Sequence, residues 1–245
     1  MSAAEMHAIA MVVNGSDESD DLTGTNLTDV IHGHDGSDTI DGGAGNDILH
    51  GGAGDDTINV GAGDDTAFGG AGDDVMRAGA GNNTLEGGVG QDTLQGYARG
   101  NNTLIGGDGD DVLTLVDDYK NGSRHFINTF NGGAGNDTLA GLYGNDTYVF
   151  NLGDGQDVIT DHGGTDTIRF GDGITKDSIR ISRDGTNDIL VEILGDDGVP
   201  TGDRITLSFA FTHSSKRVEQ LTFADGSSMS AAEMHAIAMV VNGSD

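Results

Sequence analysis

The chain has 245 residues, of which 43 are glycine, one is proline and none is cysteine or tryptophan. Its formal net charge of −30, from 41 acidic and 11 basic residues, repels nucleic acids and anionic lipid surfaces and argues against both as partners. A chain with this much self-repulsion and few aromatic residues is close to the disordered class, so cations must neutralise it before it folds. No stretch approaches the roughly 18 apolar residues of a membrane span, and membrane insertion is not expected.

The chain begins MSAAEMHAIAMVVNGSD, and the same seventeen letters return at residues 229–245. Ser2 followed by Glu5 forms a capping-box pattern, and apolar residues then fall along one helical face. The sequence therefore predicts an α-helix over residues 1–14 that caps the element after it. The second copy predicts the same helix, followed by the start of a next unit, over 229–245.

A nine-residue pattern, G-x-x-G-x-D-x-U-x with U aliphatic, then runs without a break from Gly15 to Thr114 in eleven units, one of which has ten residues. After an interruption at 115–131, further units follow up to about residue 170. Position 8 of each unit is apolar. These residues are Leu22, Ile31, Ile40, Leu49, Ile58, Ala67, Met76, Leu85, Leu94, Leu104 and Leu113.

The spacing predicts short strands joined by glycine-rich turns. Position 8 points inward while its two neighbours point outward, as strand alternation requires, and the glycines allow sharp turns. Two units then make one coil, and coils stack about 4.8 Å apart. At that spacing the position-6 carboxylates repel one another unless cations lie between them, and oxygen-only ligands favour calcium.

This pattern resembles the repeats-in-toxin (RTX) family of calcium-binding parallel β-rolls, a resemblance that covers about 155 residues. It implies an all-β, right-handed parallel β-roll over 15–170, with on the order of ten calcium ions held between neighbouring turns by aspartate side chains and backbone carbonyls. The implied aspartate ligands are Asp20, Asp29, Asp38, Asp47, Asp56, Asp65, Asp74, Asp92, Asp111, Asp137, Asp146, Asp157 and Asp166. The implied backbone ligands are Gly42, Gly43, Ala44, Gly45, Gly51, Gly52, Ala53, Gly54, Gly63, Gly69, Gly70, Ala71, Gly72, Gly88 and Gly90.

Residues 171–228 lose the repeat and alternate apolar and polar residues between turn signals, which predicts a small β-sheet that covers the end of the roll. The segment resembles the haemolysin-type calcium-binding-related region that follows many β-rolls. Aromatic residues are candidates for packing at this junction. They are Phe150, Phe170, Phe209 and Phe211.

Other interpretations of the repeats are weaker. A flexible linker does not need an aliphatic residue at the eighth of every nine positions. Outward threonines at position 7 suggest an ice-binding solenoid, but position 9 carries charged and bulky side chains that spoil a flat face. His32 and His34 could bind a transition metal, although exposed loop positions explain them better. No H-E-x-x-H, G-x-S-x-G or phosphate-loop motif occurs, so no enzymatic activity is expected.

The duplicated ends indicate one period of 228 residues from a protein of tandem copies. The sequence therefore predicts a calcium-binding structural or spacer module of a large secreted, adhesin-like protein, located outside the cell or at its surface. Its partners would be calcium and neighbouring copies joined head to tail. The family resemblance implies type I secretion with folding outside the cell. The alternative is a calcium-triggered folding and secretion module of a type I-secreted enzyme or toxin.

Overall fold

A computed structural model of the chain describes residues 10–116, 126–184, 187–208 and 218–241. The chain forms two compact units, Met1–Lys120 and Asn121–Asp245. Strands are the main secondary structure of the described residues in both, as the all-β prediction requires. None of the helices in these ranges is long and apolar enough to cross a membrane.

The first unit is a parallel β-solenoid in which successive strands alternate between two sheets. The first sheet holds β1 (Val12–Asn14), β3 (Val30–Asp35), β5 (Ile48–Ala53), β7 (Thr66–Ala71), β9 (Thr84–Val89) and β11 (Thr103–Asp108). The second sheet holds β2 (Asp21–Thr23), β4 (Thr39–Asp41), β6 (Thr57–Gly61), β8 (Val75–Ala78), β10 (Thr93–Tyr97) and β12 (Val112–Val116).

Strand register follows the nonapeptide. Partners lie two units apart, as when Thr39 pairs with Thr57. The ten-residue unit shifts this spacing without disturbing the sheet, since Thr84 pairs with Thr103 and the inward Leu94 still pairs with Leu113. The extra residue is absorbed in the turn after β10. Turns therefore take up length changes while the inward positions stay aligned.

The predicted inward residues form the core of this unit. All position-8 residues from Ile31 to Leu113 are buried, with exposed fractions of 0–1%. Leu22, in the first coil, is only half-buried. The position-8 side chains, joined by Val60 in β6 and Leu115 in β12, thus fill the space between the two sheets.

The second unit begins with parallel repeat strands of the same kind and ends with antiparallel strands. One of its sheets holds β13 (Thr129–Ala134), β16 (Thr147–Phe150), β19 (Thr167–Phe170), β23 (Gln220–Thr222) and β24 (Ser228–Ser230). The other holds β14 (Thr138–Ala140), β17 (Gln156–Thr160), β22 (Pro200–Leu207), β21 (Ile189–Leu194) and β20 (Ile179–Arg183). A pair of two-residue strands, β15 (Tyr143–Gly144) and β18 (Gly163–Gly164), lies in the turns. A 3-10 helix spans Lys176–Ser178.

The predicted C-terminal sheet is present. Strands β20, β21 and β22 pair in antiparallel order, and β22 pairs in parallel with the repeat strand β17. At the junction the Phe170 ring lies edge-on to Phe150 and stacks on Phe223. The other two aromatic candidates, Phe209 and Phe211, fall outside the described residues.

A helix, α1 (Ala231–Val241), closes the described chain and packs against β20 and β24. Its predicted capping box is present, because the Ser230 backbone N–H donates to Glu233 Oε2 at 2.8 Å and the Glu233 N–H donates to Ser230 Oγ at 3.4 Å. The buried face consists of Ala231, Met234 and Ala238. The apolar spacing of the segment predicts a face of Met234, Ile237 and Val241, and the prediction is wrong for Ile237, whose side chain is 39% exposed.

The predicted N-terminal helix over 1–14 is wrong at its end, where Val12–Asn14 forms strand β1. These residues pair with Val30, Ile31 and His32 of β3, and Gly15 N–H donates to His32 O at 2.8 Å. The edge of β3 offers a full set of backbone partners to two adjacent valines, which outweighs a weak local helical pattern. Residues 1–9 lie outside the described ranges.

The arrangement of the core predicts that substitutions at two neighbouring positions in β10 have very different effects on stability. We expect Leu94→Ala to lower the free energy of unfolding by about 2–5 kcal/mol, because it leaves a cavity between the two sheets. Thr93→Ala, at the exposed position beside it, is the control and should change stability by less than about 1 kcal/mol. Denaturant titration in saturating calcium measures both values. Equal losses would contradict the inward placement of position 8.

Candidate metal centres

A ladder of aspartates runs along each edge of the solenoid, one residue in each turn. The position-6 aspartate lies just before a strand, and its Oδ1 accepts a hydrogen bond from the backbone N–H of the aspartate one coil earlier. Along the edge that leads into the second sheet, Asp38 N–H donates to Asp56 Oδ1 at 2.7 Å and Asp56 N–H to Asp74 Oδ1 at 2.8 Å. On the opposite edge Asp47 N–H donates to Asp65 Oδ1 at 2.9 Å.

The second carboxylate oxygen of most of these aspartates is buried and has no hydrogen-bond donor. Eleven of the thirteen predicted ligands share this feature among the described residues: Asp38, Asp47, Asp56, Asp65, Asp74, Asp92, Asp111, Asp137, Asp146, Asp157 and Asp166. A buried anionic oxygen without a partner is costly. A cation beside each Oδ2 removes that cost, so the arrangement fits the ions that the repeats predict.

Glycine at position 1 makes room for this arrangement. A Cβ on Gly51 would overlap Asp56 Oδ2 and would lie 2.6 Å from the carbonyl oxygen of Gly69 in the next coil. The free carboxylate oxygen and a backbone carbonyl oxygen therefore meet at the same glycine. Such a pair of hard oxygen ligands, one from each of two coils, suits calcium.

The predicted backbone ligands lie in the same turns. Gly52, at position 2, has a φ of 129°, which brings its Cα against the carbonyl of His34 in the coil before and explains the need for glycine. The carbonyls of Ala53 and Ala71 accept N–H groups of the preceding coil at 2.7 Å. A carbonyl oxygen has a second lone pair, so these bonds leave one site for an ion.

Comparison with protein families identifies both parts of the chain. The model of the RTX calcium-binding nonapeptide repeat matches residues 14–49, 23–58, 59–94, 87–115, 126–156 and 149–175. The chain belongs to the RTX calcium-binding repeat family. The model of the haemolysin-type calcium binding protein related domain matches residues 196–233 of this RTX chain, which include all of β22 and the start of α1.

Among solved structures, the RTX chain is similar to the extracellular lipase LipA from Serratia marcescens, with 20% sequence identity and a TM-score of 0.32. The match covers 80% of the RTX chain and 37% of the lipase. A comparison with curated protein sequences found no match.

Burial makes the charged form of the RTX carboxylates unfavourable. It raises the pKa of Asp56 to about 6 and that of Asp74 to about 7. It raises the pKa of Asp157 to about 8, with a further contribution from the charge of Asp137. Burial and the charge of Asp161 together raise the pKa of Asp166 to about 8. Without ions, the folded RTX chain therefore holds protons that an unfolded chain releases.

The first coil differs from the others. Asp20 and Asp29 take part in the ladders, but their Oδ2 atoms already have donors. Asp20 Oδ2 accepts from Ser16 N–H at 2.6 Å, and Asp29 Oδ2 accepts from Thr25 N–H at 2.6 Å and Thr25 Oγ1 at 2.8 Å. In this coil Ser16 and Thr25, at position 2, thus donate hydrogen bonds to the Oδ2 atoms, which in later coils are left for an ion.

Two turns on one edge carry asparagine at position 6. Asn83 Nδ2 donates to the carbonyls of Gly79 and Gly81, at 3.2 and 3.3 Å, and Asn102 Nδ2 donates to the carbonyl of Tyr97 at 2.9 Å. The amide group therefore points at backbone oxygens of its own turn, where a cation would otherwise bind. We expect these turns to form without an ion.

A second ladder at position 5 was not predicted. Asp73 N–H donates to Asp55 Oδ1 at 2.9 Å, and on the other edge Asp64 N–H donates to Asn46 Oδ1 at 3.0 Å. These side chains are exposed. The signal was present in the sequence, because position 5 carries a short acceptor such as Ser, Asn or Asp in most units.

The histidines of the transition-metal alternative lie on the outer face of the first sheet. The rings of His32 and His50 stack at 4.8 Å, and His50 stacks on Phe68 at 4.9 Å. Burial, with the neighbouring His32, lowers the pKa of His50. His34 lies near the end of the same strand, β3, and is exposed. The stacking gives His32 and His50 a packing role.

The raised carboxyl pKa values predict that acid stabilises the calcium-free fold. Asp157 and Asp166 hold protons up to about pH 8 when folded and release them near pH 4 when unfolded. Stability in chelator should therefore be greatest at low pH and fall as the pH rises to 8. Circular dichroism at about pH 5 and pH 8 measures the β content. With saturating calcium the trend should reverse, because protons compete with the ions. Equal β content at both pH values in chelator would contradict the raised pKa values.

The asparagine turns predict that replacing Asn83 with aspartate creates an additional calcium site. Asn83→Asp restores a pair of carboxylates with Asp65 and removes the amide donor that bonds the turn. We expect about one more calcium ion per chain and lower stability in chelator. Asn82→Asp adds the same charge at the exposed neighbouring position and is the control. Calorimetric stoichiometry distinguishes them, and an unchanged count for Asn83→Asp contradicts the assignment.

Proposed function

We propose that this RTX chain is a structural module whose folding is coupled to calcium binding. The observation that carries the proposal is the row of buried Oδ2 atoms without donors in successive coils. A calcium ion between two turns neutralises the carboxylates of both and binds one coil to the next. Because the ligands come together only in the folded chain, the free energy of ion binding contributes to folding.

The duplicated segment supports a role as a spacer in a tandem array. Residues 1–17 and 229–245 are identical, so the period is 228 residues. In the first copy Val12–Asn14 begins the first sheet, and in the second copy Ala231–Val241 is a helix packed on β20 and β24. A tandem protein would use the segment to end one module and begin the next. A spacer needs identical neighbours, whereas a folding aid for one catalytic domain does not.

We further propose that the parent protein is secreted and adhesin-like, with the modules located outside the cell or at its surface. The calcium-free chain, with a net charge of −30, remains unfolded where calcium is scarce and can pass through a narrow export channel. Extracellular calcium then folds it. Its partners are calcium and the neighbouring copies of the same module. A catalytic domain beside a single module in the parent protein would favour the alternative role in an enzyme or toxin.

A calcium titration tests the coupled folding. We expect a coil-like circular dichroism spectrum in chelator near neutral pH and β structure at about 0.1–1 mM calcium, the range of extracellular modules. Magnesium should substitute poorly because it requires tighter octahedral geometry. A β spectrum that is complete in chelator and unchanged by calcium would refute the proposal.

A matched pair of substitutions tests which carboxylates hold the ions. Asp56→Asn removes a buried carboxylate with a free Oδ2 and should raise the calcium midpoint several-fold. Asp55→Asn removes the same charge from the exposed position beside it and keeps the Oδ1 acceptor for Asp73 N–H. This control should leave the midpoint nearly unchanged. Equal shifts would mean that net charge alone, and not the ladder, governs folding.

A further inference from the structure

One repeat in the second unit begins with a charged residue where most other repeats have glycine. Asp161 occupies position 1 of the unit at 161–169, and the unit before it on the same edge begins with Gly141. The two turns are stacked, because β15 pairs in parallel with β18 and Asp146 N–H donates to Asp166 Oδ1 at 2.8 Å. Asp161 therefore lies at a place where two coils already bring two carboxylates together.

The three side chains converge. One carboxylate oxygen from each of Asp146, Asp161 and Asp166 lies within 4.8 Å of the others, and the residues are 1%, 3% and 0% exposed. Asp146 Oδ2 and Asp166 Oδ2 have no hydrogen-bond donor. A Cβ on Gly141 would lie 2.5 Å from Asp161 Oδ2 and 3.0 Å from Asp146 Oδ2, so this glycine keeps open the space that the oxygens face.

Tyr148 and Gly163 fix the orientation of the added carboxylate. Tyr148 Oη donates to Asp161 Oδ2 at 2.6 Å, and Gly163 N–H donates to Asp161 Oδ1 at 2.7 Å. The Tyr148 ring is itself buried and stacks on Phe130 at 5.1 Å. Each oxygen of Asp161 keeps a lone pair for a further partner. These two hydrogen bonds thus hold the carboxylate in place in the folded turn.

Among the described residues, no Lys or Arg side chain forms an ion pair with these three carboxylates. The ion pairs between Lys176 and Glu233 and between Arg180 and Glu192 lie outside these two turns. Three buried carboxylates without a cation are strongly unfavourable. The ligands are all oxygen, which is the preference of calcium, and affinity for calcium rises with the number of charged ligands and the rigidity of the site.

We infer that Asp161 converts the turn pair 141–146 and 161–166 into a three-carboxylate calcium site that binds more tightly than the two-carboxylate sites of the regular repeats. The inference rests on the proposed calcium-coupled folding. The site fills at calcium concentrations that leave the other turns of the roll empty. Tyr148 is a positioning residue, because it contacts Asp161 and orients its carboxylate.

Calcium binding to the full chain tests the inference by calorimetry with chelator competition. Asp161→Gly installs the residue of the regular repeat, and Asp161→Asn keeps the size and the hydrogen-bond acceptor. Both should weaken the tightest class of sites on the order of tenfold. Asp172→Asn, the loss of one exposed charge on the C-terminal side of Asp166, is the control and should leave this affinity unchanged. Unchanged tightest affinity in both Asp161 variants overturns the inference.

A second measurement does not depend on these variants folding normally. Terbium occupies calcium sites and emits when a nearby phenol is excited, so the first equivalent added to the full chain should give tyrosine-sensitised emission. Tyr148→Phe should reduce that emission several-fold while the stacked ring keeps its place on Phe130. If the emission from the first equivalent is the same in this variant, the first ion binds elsewhere and the inference fails.

The two proposals fail in different ways. If calcium does not increase the β content of the unsubstituted chain, calcium-coupled folding is wrong. If calcium folds the chain but the Asp161 variants keep the tightest affinity, only the three-carboxylate site is wrong.

Discussion

Repulsion between stacked carboxylates is the constraint on which the rest of the structure depends. Each coil brings an aspartate to within hydrogen-bond distance of the next one, and the backbone N–H satisfies only one of its two oxygens. The other oxygen is buried without a hydrogen-bond donor, whether the carboxyl group is charged or protonated. Burial of such a row is costly, and in the proposed function a divalent cation in each gap cancels that cost and makes folding depend on calcium.

The remaining features of the repeat follow from keeping that gap open. Position 1 is glycine in most units, and at Gly51 a side chain would fill the space in front of the carboxylate of Asp56. Position 8 is apolar because its side chain faces the space between the two sheets. Each coil buries few apolar side chains, and in the proposed function bound ions supply the stability that a larger core supplies in other folds.

The repeating part of the fold was predictable because it depends on local periodicity. Strand alternation fixed the inward residues, and two units per coil placed Asn83 and Asn102 on one edge, as the hydrogen bond between them confirms. The helix cap at Ser230 was readable for the same reason, since its partner Glu233 lies three residues away.

Features that depend on pairing across coils were not predictable in this way. Val12 and Val13 carry a helical pattern, but a neighbouring strand edge decides their conformation. The satisfied oxygen of Asp29 depends on a threonine hydroxyl whose direction the spacing does not give. Asp161 falls at a position where the repeat expects glycine, and only the stacking of two turns brings it to Asp146 and Asp166.

The alternation of strands between two sheets limits how such a protein can change in length during evolution. The turn after β10 accepts one extra residue, and the coil from Thr138 to its partner Val158 has two, without loss of register. Loss of one whole nonapeptide is a different event. Every later strand would move to the opposite sheet, and the asparagine turns would exchange edges with the aspartate turns. Loss of two nonapeptides leaves each strand on its own sheet. Rolls of this kind should therefore grow and shrink by even numbers of units, whereas odd changes are tolerated only beyond the last coil.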